Sequence, residues 1–411
     1  MNTKKQNVIL IILIIFSFLF RLGLALNEYY QNGTRDWADA KLYLYLGESF
    51  TQGNFYPSVD DRPYMTVAPG LPAIIALSII LTGHPIITML VLNALAGALL
   101  VIILFRIGKE LINITAGYIM ALWSMFNFNM IRYGYQLLKE PYLFLLLSLI
   151  VLLMVRIYKG KKIFNNIILF SISFAFLFHI DDRYIFYLPI FLLFIIIFTW
   201  KHYMYKTIIC WLIGIILISV PWSIRNYKQY DQLVILTPNV NSTLQKILGS
   251  NIVKTPKIVK NYESQKLLNN KHIFISENGY KYEWDGSFND YLQSFLEYWS
   301  PSYISPRYVY TSLGWEERNW SLLHNLTGII FYGIFIPFYV IGFIYSIIKK
   351  EWFIMFLSFL PFINSIMHTS LPFPLERYRL PFDFILILIA LWFYYRIKGL
   401  KKESIKTNIN I

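Results

Sequence analysis

The segment 34-TRDWADAKLYLYLGESF-50 places two carboxylates, Asp36 and Asp39, among aromatic and aliphatic residues. Spaced three apart, they share one side of a helix, and Tyr43, four residues beyond Asp39, joins that side. A carboxylate held against apolar surface has a raised pKa and can act as a general base. Asp36 has an alternative role as the cap of the helix that follows. Lys139 and Glu140 stand just before Pro141 in 131-IRYGYQLLKEP-141. Acid and proline are ordinary at a helix start. The functional alternative is that Glu140 faces Asp39 across a cavity, where two acids orient a nucleophile or hold a divalent ion through oxygen ligands. Asp181, Asp182 and Arg183 form a charged turn between two apolar blocks, either as a solvated loop or with Arg183 aimed inward.

Cations complete the set. The segment 376-ERYRLP-381 puts Arg377, Tyr378 and Arg379 before the last apolar block, and 221-PWSIRN-226 puts Arg225 after an earlier one. One arginine at an interface is explained by snorkelling. A pair fits an anionic substrate better, because the guanidinium fork matches phosphate oxygens and stays charged when half-buried. Other chemistries find no support. His84, His179, His202, His272, His324 and His368 lack a helical metal-binding spacing, and no phosphate-binding glycine loop or nucleophile elbow occurs. A resident cofactor is therefore not expected.

These residues need a scaffold, and composition names it. The 411 residues are 56% hydrophobic and only 15% charged, against about 25% charged in soluble domains. The apolar surplus falls in blocks long enough to cross lipid. Lipid leaves no partner for loose backbone groups, so the chain is an all-α polytopic membrane protein. The alternating short strands of a membrane barrel do not occur. Spans are expected at 8–26, 87–106, 111–130, 138–156, 163–179, 184–200, 206–221, 326–347, 351–367 and 379–396. The first is read as an uncleaved span, because no small-residue cleavage site follows it. Residues 68–83 are short and carry Pro69 and Pro72, so they are expected to re-enter or lie at the interface.

The net charge of +14 follows from basic loops kept inside rather than from nucleic-acid binding, because the cations are scattered over short turns. Lys4 and Lys5, Arg106 and Lys109, 159-KGKK-162, 201-KHYMYK-206, Lys349 and Lys350, and the tail 396-RIKGLKK-402 then fall inside. Both termini are cytoplasmic on this count. Residues 27–67, 131–141, 181–183, 222–325 and 368–381 fall outside. The expected organisation is an N-terminal transmembrane catalytic module over 1–221 with its outer loop 27–67, an exterior loop or small subdomain over 222–325, and C-terminal helices with a basic tail over 326–411. Cys210, the one cysteine, excludes an internal disulfide.

The order of these motifs resembles the integral-membrane, GT-C type glycosyltransferases that use lipid-linked sugars, in particular the protein O-mannosyltransferase and aminoarabinose-transferase-like superfamily. The resemblance is carried by 39-DAKLYLYLGESFTQGNFY-56 with Asp39, Tyr43, Gly47 and Gly53, by 68-APGLP-72, by Arg106, by Glu140 with Pro141, by 221-PWSIRN-226 and by 376-ERYRLP-381. It covers about residues 8–235 and 365–395. It implies a GT-C-like helical bundle in the cell membrane and a polyprenyl-phosphate sugar donor. The implied reaction is inverting transfer, on the outer face, to a hydroxyl of a glycan, lipid or protein acceptor. Asp39 is then preferred over Asp36 as the base, with Glu140 assisting. Arg377 and Arg379, with Arg183 or Arg225, hold the donor phosphate, and Tyr43, Lys139, Asp181, Asp182 and Tyr378 shape the substrate site. Monophosphate donors in this family imply metal independence. Intramembrane charge also suits a transporter or flippase of a lipid-linked or anionic substrate, though the two similar halves common in transporters are not found. A non-catalytic scaffold would need no convergent acids and arginines.

Overall fold

The computed structural model describes residues 3–33, 38–55, 58–59, 62–63, 67–200, 204–231, 234–237, 240, 272–275, 281–284, 287–300, 308–311, 314–317, 326–369 and 376–409. In chain order the helices are α1 (Thr3–Asn32), α2 (Ala38–Thr51), α3 (Gly70–Thr82), α4 (Pro85–Leu111), α5 (Ile114–Phe126), α6 (Phe128–Tyr133), α7 (Glu140–Tyr158) and α8 (Ile163–Ile180), then α9 (Leu188–Thr199), α10 (Met204–Tyr230), α11 (Phe288–Trp299), α12 (Phe335–Ile348), α13 (Trp352–Thr369), the single turn α14 (Glu376–Arg379) and α15 (Asp383–Ile409). Among the described residues eight helical stretches are long and apolar enough to cross a bilayer. The protein is thus the all-α, polytopic membrane bundle that its composition calls for, consistent with a GT-C-like architecture. Sheet is confined, among the described residues, to three antiparallel two-stranded pairs: Ser58–Val59 with Arg62–Pro63, His272–Ile275 with Lys281–Trp284, and Tyr308–Thr311 with Gly314–Glu317.

The expected span 111–130 is not one helix. Asn113 caps α5 by accepting from the Ala116 amide at 2.9 Å, and Asn127 ends it in an extended conformation. Its 13 residues reach about 20 Å at roughly 1.5 Å per residue, short of a hydrocarbon core of about 30 Å. The block 351–367 forms α13, another of the shorter apolar helices. Residues 68–83 form α3, also 13 residues, closed by Gly83 in the left-handed region (φ 68°). Alone it is too short to cross, which agrees with the expected re-entrant or interfacial helix. Helix α10 continues through Pro221 to Tyr230. The expected boundary at 221/222 therefore falls inside a helix, and Arg225 and Asn226 stand on its last turns.

The chain divides into two compact units, Met1–Glu110 with Met130–Val259, and Leu111–Asn129 with Lys260–Ile411. This differs from the expected division, because α5 belongs with the C-terminal helices. There it packs against α15, and the Trp123 indole donates to the Phe331 carbonyl at 2.8 Å. In the same unit α12 and α13 both pack on α15, and Tyr339 donates to the Ser358 carbonyl at 2.5 Å.

In the first unit α8 lies between α7 and α10. Edge-on pairs among Phe170, Phe174, Phe178 and Phe191, with Trp211 stacked on Phe174, fill that contact. Two glycines then hold α2 and α3 against this core. A Cβ on Gly47 of α2 would lie 2.4 Å from Ile75 Cγ2, and one on Gly70 of α3 would lie 2.6 Å from the His179 carbonyl oxygen of α8. The chain of close approaches α2–α3–α8 brings the helix bearing Asp39 to the corner bearing Asp181.

Gly70→Ala should therefore disturb this corner, because the atom opposing the new methyl group is backbone and cannot rotate away. We expect a loss of about 1–3 kcal/mol, as for other overpacked sites, read as a lowered thermal transition of the purified protein. An unchanged transition would show that α3 can slide along α8.

Candidate active site

Asp181 sits between α8 and a 3-10 turn, Asp182–Tyr187, and its side chain is fully buried. Burial alone would push its carboxyl up, but the cations of Arg183 and then Lys139 outweigh burial and hold it well below the usual carboxylate range. Lys139 Nζ lies 2.9 Å from Oδ2. Arg183 donates from Nε to Oδ1 at 2.8 Å, from its backbone amide to the same oxygen at 3.2 Å, and from Nη2 to Oδ2. The turn is thus no solvated loop at Asp181. Burial would lower the Lys139 ammonium, yet Asp181 above all, then Tyr43, raise it. Asp182 is partly buried and accepts from the Thr237 hydroxyl.

Lys139 precedes α7, and Glu140, its first residue, is buried at 2% exposure. Tyr43 of α2 is buried as well. The charges of Lys139, Asp39, Glu140 and Asp181 all act on its hydroxyl. Burial first, then the three carboxylates against the opposing Lys139 charge, push the phenol up to about 12. At neutral pH Tyr43 is therefore a neutral hydroxyl in a field of charges. Asp39 is half-buried on the first turn of α2. Asp36 lies outside the described residues.

A groove of about 580 Å³ begins at His179 and Ile180, just before Asp181. Its walls include Phe50, Phe55, Leu77, Ile218 and Trp222, with Arg225 on its edge. The Arg225 guanidinium stands 5.1 Å from the Trp222 ring centre and 5.8 Å from that of Phe55. It donates to Asn226 Oδ1 at 2.9 Å and to the Phe55 carbonyl. Asn226 in turn donates to the Val234 carbonyl at 2.9 Å, and Trp222 donates to that of Leu236 at 3.1 Å. These bonds fasten segment 234–237 along α10.

Arg377, Tyr378 and Arg379 belong to the second unit. Arg379 is buried at 3% exposure. It bonds Asp383 at 3.1 Å and the carbonyls of Tyr298 and Ser300 at 3.2 and 2.6 Å, and it lies 3.4 Å from the Tyr332 ring centre. Arg377 is half-buried and donates to the Tyr378 hydroxyl at 3.2 Å. Tyr378 stacks on His368 at 4.7 Å.

Two residues escaped sequence reasoning. His179 shares Nδ1 with the Ala175 carbonyl at 2.7 Å. That nitrogen must carry the proton, and Nε2 has no hydrogen-bond partner among the described residues. Arg21 is buried within α1, against Gly97 of α4. A lone arginine inside an apolar block was the available signal. Among the described residues, no group of three His, Cys, Asp or Glu side chains is arranged to hold a metal ion.

Residues 61–224 match the family model described as dolichyl-phosphate-mannose-protein mannosyltransferase. No curated protein and no solved structure matches the chain. The matched stretch contains Lys139, Glu140, Asp181, Asp182 and Arg183. It leaves Asp39 and Tyr43 before it, and Arg225, Arg377 and Arg379 after it.

Asp181→Asn should leave two cations without their buried counter-charge and cost about 3–5 kcal/mol, with less added by a second change, Lys139→Met. Because the Asp181 pKa is depressed in the fold, its contribution is present above the unfolded value of about 3.9 and fades as pH falls through the lower folded value. The raised Lys139 contributes below about 10.4 and fades only as pH rises through its folded value. Thermal transitions followed against pH should then lose part of their acid-side slope in Asp181→Asn. An identical slope in both proteins would contradict the ion-pair account.

Proposed function

We propose that this protein is an inverting glycosyltransferase that moves a sugar from a polyprenyl-phosphate donor to an acceptor hydroxyl at the outer membrane face, with both termini cytoplasmic. The observation that carries the proposal is the buried Asp181 held by Lys139 and Arg183 at the end of an apolar groove edged by Arg225, with the charges of Asp39 and Glu140 acting on the nearby buried Tyr43. The family match over 61–224 supports it.

In this reading the prenyl stem lies along the groove, where each buried CH₂ contributes about 0.8 kcal/mol. Arg225 holds the phosphate. Its bonds to Asn226 and the Phe55 carbonyl fix the guanidinium before substrate arrives, which is the form of electrostatic help that costs no reorganisation. Asp39 takes the acceptor proton. The acceptor oxygen forms a bond to the anomeric carbon as the bond to the phosphate oxygen breaks on the opposite side, and the electron pair leaves with the phosphate. Glu140 orients a sugar hydroxyl, Tyr43 donates as a neutral phenol, and His179 offers Nε2 as an acceptor. Asp181 does not act as a base here, because Lys139 and Arg183 hold it ionised and occupied. Cations already standing at the site supply the positive charge the leaving phosphate needs, so no resident metal is invoked. The acceptor class, whether glycan, lipid or protein, is left to the assay.

Reconstituted vesicles supplied with radiolabelled polyprenyl-phosphate sugars and an acceptor panel test this. Asp39→Asn should lower transfer by at least about 10²-fold, the scale of a lost general base, while the thermal transition and donor binding stay near wild type. Full turnover in that variant would remove Asp39 from the mechanism. In the same assay EDTA should leave the rate unchanged; loss of activity restored by a divalent cation would require a metal in the site.

A further inference from the structure

Helix α11 lies in the region between α10 and α12 for which the sequence offered no pattern. Its sequence, 288-FNDYLQSFLEYW-299, alternates with helical period. Phe288, Leu292 and Leu296 recur every four residues on one line, with Tyr291 beside them. All four are exposed, Phe288 at 79% and Leu296 at 61%. The other side of the helix is anchored. Ser294 and Tyr298 are buried, the Asn364 amide donates to the Tyr298 hydroxyl, and the Tyr298 ring stacks near His368 at 6.4 Å. The Tyr332 hydroxyl reaches the Trp299 carbonyl at 3.4 Å. The helix is therefore fixed to α13 with an apolar stripe turned outward.

We propose that α11 is an interfacial helix whose apolar stripe is embedded at the boundary between lipid headgroups and acyl chains. Three observations select lipid as the occupant. First, the stripe is continuous with the exposed apolar side of α13. Phe295 meets Phe362 with ring centres 5.9 Å apart, and Phe362, Phe359 and Ile366 are themselves exposed residues of that apolar helix. Second, 12 residues span about 18 Å, too little to cross, and the helix keeps its apolar and polar residues on separate sides, as interfacial helices do. Third, Phe and Leu are residues of an embedded apolar face, and Tyr and Trp favour headgroup depth. A stripe of four large apolar side chains in water would be an aggregation site. The bilayer already surrounding α13 covers it without a further partner. The exterior region is thereby held down on the membrane surface at α11. This inference is independent of the sugar-transfer reading.

Nitroxide labels report it directly. Cys210 is the one cysteine of the chain, so Cys210→Ser gives a background for single labels at Leu292→Cys and Leu296→Cys in phosphatidylcholine vesicles. Ile366→Cys serves as the lipid reference and Asp231→Cys as the aqueous one, both at exposed positions. The proposal expects labels at 292 and 296 to collide with oxygen several-fold more than with a nickel chelate, as at 366, at a depth of about 5–10 Å. Chelate-dominated collisions, as at 231, would place the stripe in water. Low collision rates with both reagents would mean that protein, either this chain or a second copy, covers it. Either result overturns the proposal.

Discussion

A carboxylate removed from water must find positive charge or lose its own. Asp181 meets this constraint at a place where three helices of one unit come together, and much of that unit's polar architecture follows from it. The aspartate needs Lys139, which fixes the start of α7 and so turns Glu140 inward. It needs Arg183, which draws the chain into the 3-10 turn that leads to α9. Asp182, the next residue, takes the Thr237 hydroxyl and binds the segment that follows α10. The pair Lys139–Asp181 links positions 42 residues apart in sequence, and losing one partner would leave the other's charge buried at a high cost.

The second constraint is steric. Asp39 is the acid proposed as the base, and nothing in its own helix directs it to Asp181. Gly47 and Gly70 do that. Each removes a side chain where two helices approach within the space of a methyl group, so α2 sits on α3 and α3 on the end of α8. Charge sets the identity of the residues at the corner, and packing sets their distance. Tyr43 records both: it is buried by the packing, and its raised pKa reflects that burial and the charges assembled there.

The membrane class and the apolar blocks were legible in the sequence, because lipid imposes long apolar runs. The short α3 was legible for the same reason, from its length and its two prolines. What was not legible depends on tertiary context. Pro221 looked like the end of a span, yet α10 passes through it, because a proline within an apolar helix is tolerated when neighbours satisfy the freed carbonyl. Residues 111–130 read as one apolar block, and only the conformation of Asn127 divides it. Asp181–Asp182–Arg183 read equally well as a wet loop, because a triplet of charges carries no record of burial. Arg379 looked like a substrate ligand from its neighbours in sequence. Its buried pair with Asp383 and its bonds to the Tyr298 and Ser300 carbonyls give it a structural task as well. His179 had no companion at a metal-binding spacing, and its place beside the groove, with a buried Nε2 that has no hydrogen-bond partner among the described residues, appears only once α8 is packed.

The account rests on where a lipid-linked sugar lies. A single-particle map of the protein in lipid nanodiscs, with a non-hydrolysable polyprenyl-phosphonate sugar, answers this directly. The account predicts the glycosyl group against Tyr43 and Asp39, the phosphonate at Arg225 and the prenyl stem between Leu77 and Ile218. A headgroup bound elsewhere, with the Tyr43 corner closed to it, would contradict the proposed chemistry.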